Sequence, residues 1–127
     1  MTIENLAWDA NGLIPAIAQD FQTGEVLMMA WMNRESLALT LDQGVAVYYS
    51  RSRQSLWRKG ETSGQTQTIK SVQADCDRDA LLLLVEQTGV ACHTGRRGCF
   101  YRALTPQGEV EMTQPSVDPT ALYGASS

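Results

Sequence analysis

With 127 residues, 43% of them hydrophobic, the chain suits one compact domain with a single core. A formal charge of −4 argues against general nucleic-acid binding, which needs a basic footprint. No charged start leads into an apolar run in "MTIENLAWDANGLIPA", and "VLMMAWM" and "ALLLLV" are far too short to span a bilayer, so neither a signal peptide nor a membrane segment is expected.

In chain order, "LIPAIAQD" and "EVLMMAWM" predict two strands joined by a turn at "FQTGE". Asn33 then predicts the cap of a short helix, roughly Arg34 to Asp42, with Leu37 and Leu41 one turn apart and Gly44 closing it. "VAVYYS", rich in β-branched and aromatic residues, predicts a strand. "RSRQSLWRKGETSG" has no clear period and two glycines, which predicts an irregular loop or a distorted hairpin. "QTQTIKSVQADCD" alternates and predicts a strand. "ALLLLVEQ" fits a buried strand or a helix equally, because a continuous apolar run has no diagnostic period. "CFYRAL" and "EVEMT" predict a last hairpin around "TPQGE". From Gln114 onward Pro, Ser, Gly and Ala dominate, so residues 1–113 are expected to form the domain and 114–127 a loosely ordered tail. The fold class expected is α+β, mainly β.

The charge is unevenly placed. Nine of the ten basic residues fall between Arg51 and Arg102, so a basic middle sits inside an acidic protein and suits a small anionic ligand such as one carrying phosphate. Residues 75 to 99, "DCDRDALLLLVEQTGVACHTGRRGC", hold all three cysteines and the only histidine. Asp75, Asp77 and Asp79 lie at i, i+2 and i+4. On an extended chain they would share one face, and three hard oxygen donors suit Mg²⁺ or Ca²⁺. An EF-hand is excluded, since Ala80 stands where its sharp turn needs Gly and "LLLLV" fills the ligand loop.

Cys76, Cys92 and Cys99 have the spacing C-x15-C-x6-C, which is neither a zinc finger nor a C-x-x-C redox pair. Three thiols cannot all pair within one chain, and free thiols point to a reducing cytoplasm. "ACHTGRRGC" is a polar, glycine-punctuated loop, poor core filler but suitable for metal ligands. Three protein ligands with an open fourth position is the pattern of a catalytic zinc. His93 directly follows Cys92, and adjacent side chains diverge. It is therefore better placed as a general acid or base than as a fourth ligand, although a closed Cys₃His site stays open as an alternative. A zinc centre with three thiolates carries a formal −1, which Arg96 and Arg97 could offset.

Together "MMAWMNRESLALTL", "YYSRSRQSLWRKGETSGQTQ" and "DCDRDALLLLVEQTGVACHTGRRGCFYR" resemble the phosphoribosyl-AMP cyclohydrolase family of histidine biosynthesis, over roughly Leu13 to Leu104. The resemblance implies a mainly β, single-domain pseudo-barrel of mostly antiparallel strands with one or two short helices, as an intertwined homodimer. It implies hydrolysis of the N1–C6 bond of the adenine ring of phosphoribosyl-AMP. It also implies zinc held by Cys76, Cys92 and Cys99 contributed from both chains, and magnesium at Asp75, Asp77 and Asp79. A substrate with two phosphates gives the basic middle a purpose. "RSRQSLWRKGETSG" is then expected to clamp phosphate and ribose through Arg51, Arg53 and Lys59, with Gly60, Thr62, Ser63 and Gly64 alongside and Arg96 and Arg97 beyond. Trp57 could stack on the base, though a core role suits a tryptophan better. Gly98 is a departure, where many relatives would carry Ser. Two rivals are a zinc-dependent base deaminase, whose H-x-E and P-C-x-x-C signatures the chain lacks, and a zinc-stabilised binding module without turnover.

Overall fold

The computed structural model describes residues 2–120 and contains eight strands and one α-helix after a short 3₁₀ turn at Ile3–Asn5. β1 (Ile14–Asp20) and β2 (Val26–Met32) pair antiparallel, as expected. Their turn is held by the Asp20 carboxylate, which accepts from the N–H groups of Gln22 and Thr23, both at 2.9 Å. The helix α1 (Arg34–Gln43) begins at the expected cap. Asn33 accepts from the Ser36 N–H at 2.8 Å while the Ser36 hydroxyl accepts from the Asn33 N–H at 2.9 Å. Gly44, at φ 73°, ends it.

β3 (Val47–Ser50) and β4 (Ser55–Arg58) form a hairpin, so of the two alternatives expected for "RSRQSLWRKGETSG" the hairpin holds, with the residues around β4 irregular. β5 (Gln67–Ala74) and β6 (Leu81–Gln87) form another. "LLLLVEQ" is thus a strand. It lies between β5 and β1, antiparallel to one and parallel to the other, with Leu81, Leu83 and Val85 facing the core and Leu82 and Leu84 half-buried on the other side. Neighbours on both edges, with one face in the core and the other half-buried, explain a run without polar alternation. β7 (Arg102–Thr105) and β8 (Gly108–Glu111) make the expected last hairpin as a separate two-stranded sheet.

The large sheet has the order β4-β3-β2-β1-β6-β5, with β1–β6 its one parallel pair. It curls until the start of β5 returns to the segment before β3. Val45 bridges Thr68, Ala46 N–H donates to Gln67 O (3.0 Å), and Ile69 N–H donates to Gly44 O (2.8 Å). The result is a mainly β half-barrel. Ile14, Ala16, Leu27, Met32, Leu37, Tyr48, Leu83 and Val85 fill it, and α1 packs against β3 and β2. No helix among the described residues is long and apolar enough to cross a membrane. Part of the expected loose tail, residues 121–127, lies outside the described residues. Its first part rests on the loop before it, with the Ser116 and Val117 N–H groups both donating to Gly95 O (2.9 and 3.1 Å).

One expectation fails. Asp75, Asp77 and Asp79 do not lie on an extended strand with a common face, because β5 stops at Ala74 and the next residues make the tight turn into β6. Arg78 N–H donates to Asp75 O (3.0 Å), Asp79 N–H donates to the Asp75 carboxylate (3.0 Å), and Arg78 adopts φ 61°. Aspartate favours this outcome, since its short carboxylate bonds the backbone a few residues on and competes with a strand ladder.

Candidate active site

The site is built where three chain segments meet at the C-terminal end of β6. Lys59, immediately after β4, is buried, and its ammonium donates to Ala91 O at 2.5 Å. This ties the end of the β3–β4 hairpin to the loop that carries Cys92. Cys92 is buried and its Sγ lies 3.0 Å from the Thr94 hydroxyl. Cys99 enters from the other side, its N–H donating to Leu27 O at 2.6 Å. The two thiols are neighbours. Desolvation, then the adjacent Cys92, pushes the Cys99 thiol up to about 12, against an opposing pull from the Lys59 ammonium. Lys59 is in turn lowered by burial, while both cysteines work against that shift. A soft cation between the two sulfurs would relieve this crowding, so the donor chemistry here fits two of the ligands of a zinc ion.

Cys76 is elsewhere. It is exposed in the turn after β5, at the Leu81 end of β6, whereas Cys92 and Cys99 sit beyond the Gln87 end. Six rises of ~3.3 Å along β6 separate those ends by about 20 Å. Among the described residues no three His, Cys, Asp or Glu side chains converge on a point that could hold a metal ion. The three aspartates stay exposed on their turn. Asp79 is raised, chiefly by a hydrogen bond to Asp75 and then by its charge. Asp75 is lowered, because hydrogen bonds from Asp79, Ala80 and Arg78 outweigh desolvation. Three carboxylates gathered on one exposed turn are the hard oxygen donors that suit a divalent cation such as magnesium.

Beside Lys59 opens a cleft of about 280 Å³ lined by Arg53, Trp57, Arg58, Lys59, Gly60, Glu61, Thr62 and Ser63. It gathers most of the residues expected to bind phosphate. Among the described residues the backbone N–H groups of Gly60, Thr62 and Ser63 have no protein partner, so donors and cations converge on one concavity. Trp57 has both of its expected roles available. It packs on the core against Tyr48 (ring centroids 5.1 Å apart), and it also lines the cleft. The Gly64 N–H, by contrast, is spent on Gly60 O at 2.8 Å. Gly60 itself is required. At φ +86° its Cβ would lie 2.6 Å from the backbone of Gln65 and Thr66. Gly60→Ala is expected to cost about 1–3 kcal/mol in urea unfolding. It should weaken phosphate binding measured by titration calorimetry more than its stability loss alone predicts.

The remaining cations are placed differently. Arg51 lies outside this cleft, at the tip of the β3–β4 hairpin, with its guanidinium 4.5 Å from the Trp31 ring centroid. Arg96 is buried. It stacks 3.8 Å from the Tyr101 ring centroid and bonds Glu111 (3.1 Å) and Thr113 O (3.1 Å), which pins the β7–β8 hairpin to the cysteine loop. Arg97 pairs with Asp20 and Glu25 and donates to Gly89 O (2.9 Å), fastening the same loop to the β1–β2 turn. His93 is exposed, next to buried Cys92. Gly98 packs close to β2, where a Cβ would approach Val26 O and Leu27 O at 3.2 and 3.3 Å, so a serine there needs a shift of a few tenths of an ångström.

Sequence reasoning passed over the residues beneath the site. Tyr48, Gln67 and Gln87 are buried and hydrogen-bonded to one another. The one available signal was the glutamine run in "GQTQT", where Gln67 occupies an inward position of a strand.

A family model of phosphoribosyl-AMP cyclohydrolase matches residues 28–101, from β2 to just past Cys99. The chain belongs to the phosphoribosyl-AMP cyclohydrolase family. It is 60% identical over 122 residues to a protein of that name from Magnetococcus marinus, covering 96% of this chain and 95% of that one. It is 59% identical over 121 residues to one from Granulibacter bethesdensis, covering 94% of each. It is 62% identical over 117 residues to one from Rhodospirillum rubrum, covering 91% of this chain and 82% of that one. Likeness along nearly the whole length makes the chain an enzyme of this family rather than a binding module. The matched span takes in the cleft, the acidic turn and all three cysteines.

Proposed function

We propose that the protein hydrolyses the N1–C6 bond of the adenine ring in 1-(5-phosphoribosyl)-AMP, opening the purine to the formimino-carboxamide ribonucleotide in the third step of histidine biosynthesis. The observation that carries this is the junction at Lys59. The same residue lines the phosphate-sized cleft and touches the loop bearing the Cys92–Cys99 pair. A substrate held there by its phosphate would extend its base toward the thiols. Arg53 and the free N–H groups of Gly60, Thr62 and Ser63 would take one phosphate, and Trp57 offers its face to the sugar or base. Arg51, on the far tip of the hairpin, would take the second phosphate of an extended ligand.

Zinc would be held by Cys92 and Cys99 of one chain and by the partner's Cys76, in a homodimer. The distance along β6 supports this reading, since one chain holds its own Cys76 away from its own pair. Bound zinc supplies Lewis-acid activation of water and of the C6 centre. Magnesium would sit at Asp75, Asp77 and Asp79. His93, exposed beside Cys92, would hold and move the proton that attack at C6 releases and that N1 needs before the C–N bond breaks. Free thiols in the ligand set support a reducing cytoplasm as the enzyme's compartment.

Purified protein supplied with zinc and magnesium is expected to open phosphoribosyl-AMP, followed by the ultraviolet change of the purine, and to leave AMP and adenosine untouched. After dialysis about one zinc per chain should remain, held by soft thiolates, while magnesium is lost with its waters. No ring opening with both metals present would overturn the assignment.

A further inference from the structure

Three glutamines and a tyrosine form a buried chain of hydrogen bonds under the site. The Tyr48 hydroxyl donates to Gln67 Oε1 at 2.6 Å. Gln67 Nε2 donates to Gln87 Oε1 at 2.9 Å and lies 3.3 Å from Met28 Sδ. Gln87 Nε2 then faces four backbone oxygens: Thr88 at 2.9 Å, Gln65 at 3.2 Å, Val90 at 3.3 Å and Thr66 at 3.4 Å. Gln65 completes the circuit, its Oε1 accepting from the Val90 N–H at 2.8 Å. No buried side-chain nitrogen or oxygen among the described residues lacks a partner.

The chain has a direction. The Tyr48 hydroxyl, with Gln67 Oε1 as its acceptor, turns the Gln67 amide so that its nitrogen points to Gln87. That in turn sets the Gln87 oxygen inward and its two N–H groups toward the loop. Reversing any one amide would set oxygen against oxygen at the next step, so the arrangement admits one orientation. Four carbonyls around a single NH₂ also exceed what it can fully satisfy, which draws two separate segments onto one group.

Those segments are the two halves of the candidate site. Residues 65 and 66 continue the turn that lines the cleft, and residues 88 to 90 lead directly into Ala91 and Cys92. The outer face of the same junction is tied by Lys59 to Ala91 O. A buried polar network costs desolvation that an apolar core would avoid, and its return is one specified geometry. Leucines at 67 and 87 would fill this space but would leave the buried Tyr48 hydroxyl unpaired and would not register the cleft against the cysteine loop.

We infer that Gln87, oriented by Tyr48 through Gln67, is a positioning residue that sets the Val90–Cys92 segment against the cleft. The inference deepens the proposed function, since the two elements it registers are the phosphate cleft and the thiol pair. Its first test nevertheless needs no turnover.

Hydrogen–deuterium exchange on the full-length protein compares the unaltered chain, Gln87→Leu, Gln67→Leu and a control, Thr40→Val. The control breaks a different buried set of bonds, from the Thr40 hydroxyl to Ser36 O (2.8 Å) and Val47 (3.0 and 3.1 Å), away from this loop. With thermal midpoints measured alongside, both glutamine variants are expected to speed exchange across residues 88–95 about tenfold or more beyond what their midpoint loss produces in β1 and β2. Thr40→Val should loosen only α1 and its contact with Val47, leaving exchange across residues 88–95 unchanged. In turnover, Gln87→Leu should lower kcat about a hundredfold, as a displacement of about 1 Å does, while Thr40→Val at a similar midpoint keeps the unaltered kcat. Exchange in residues 88–95 that tracks global stability, or a Gln87→Leu enzyme whose kcat matches that of Thr40→Val, would overturn the positioning role. An unaltered protein that fails to open the substrate would count against the proposed reaction alone, because the exchange comparison still decides the inference.

Discussion

Cys76→Ala and Cys92→Ala proteins are each expected to be inactive alone and to regain roughly a quarter of wild-type activity once their subunits are exchanged. Cys92 and Cys99 adjoin at the Gln87 end of β6 and Cys76 lies at the Leu81 end, and a strand is too stiff to fold back on itself. In a two-fold dimer the Cys76 turn of each chain would complete the pair of the other. Random exchange makes half the dimers mixed. Each mixed dimer collects both lesions in one site and leaves the second site whole. Were all three cysteines drawn from one chain, every site would keep a lesion. Exchange demonstrated by mass spectrometry without any return of activity would therefore rule out the shared centre.

His93→Ala is expected to lower turnover by about 10²–10⁴-fold while zinc content, measured by atomic emission, stays near that of the unaltered protein. Exposure of His93 beside a buried neighbour gives the imidazole room to reach a proton on the substrate. A buried Arg96, and an Arg97 anchored to Asp20 and Glu25, hold the loop just beyond His93. A variant that lost zinc together with activity would make His93 a ligand and the centre closed.

Local chemistry was legible in the sequence wherever it acts over a few residues. The Asn33 cap, the Gly44 stop and the hairpins at "FQTGE" and "TPQGE" depend on side chains bonding backbone within one turn, and they stand where expected. The acidic triplet misled for the same reason that makes it a turn. Spacing of two implies a shared face only if the backbone is extended, and Asp75 bends it by bonding Asp79 N–H. "LLLLV" could not be resolved because β6 is paired on both edges and none of its residues from Leu81 to Val85 is exposed, so no alternation remained to read. Burial of polar groups was invisible altogether. Lys59, Arg96, Gln67 and Gln87 look like surface residues in composition, and only their distant partners, such as Ala91 for Lys59 and Tyr48 for Gln67, make them interior ones.

The parallel pairing of β1 with β6 bears on how the chain reaches this state. Asp20 and Leu81 belong to neighbouring strands, yet the segment between them must first be looped out, and closing such a loop carries its entropy before any contact repays it. Four hairpins can form quickly before that closure, since each needs only local turns. Until β1 and β6 meet, however, "LLLLV" has a free edge, no charge, no proline and a strong tendency to extend, which are the attributes of a segment that seeds aggregation. The strand that separates the cysteines in the folded enzyme is thus also the part of the nascent chain most in need of protection. Dilute, cool refolding should recover more enzyme than concentrated refolding, because the rival of the slow β1–β6 closure is a second copy of β6.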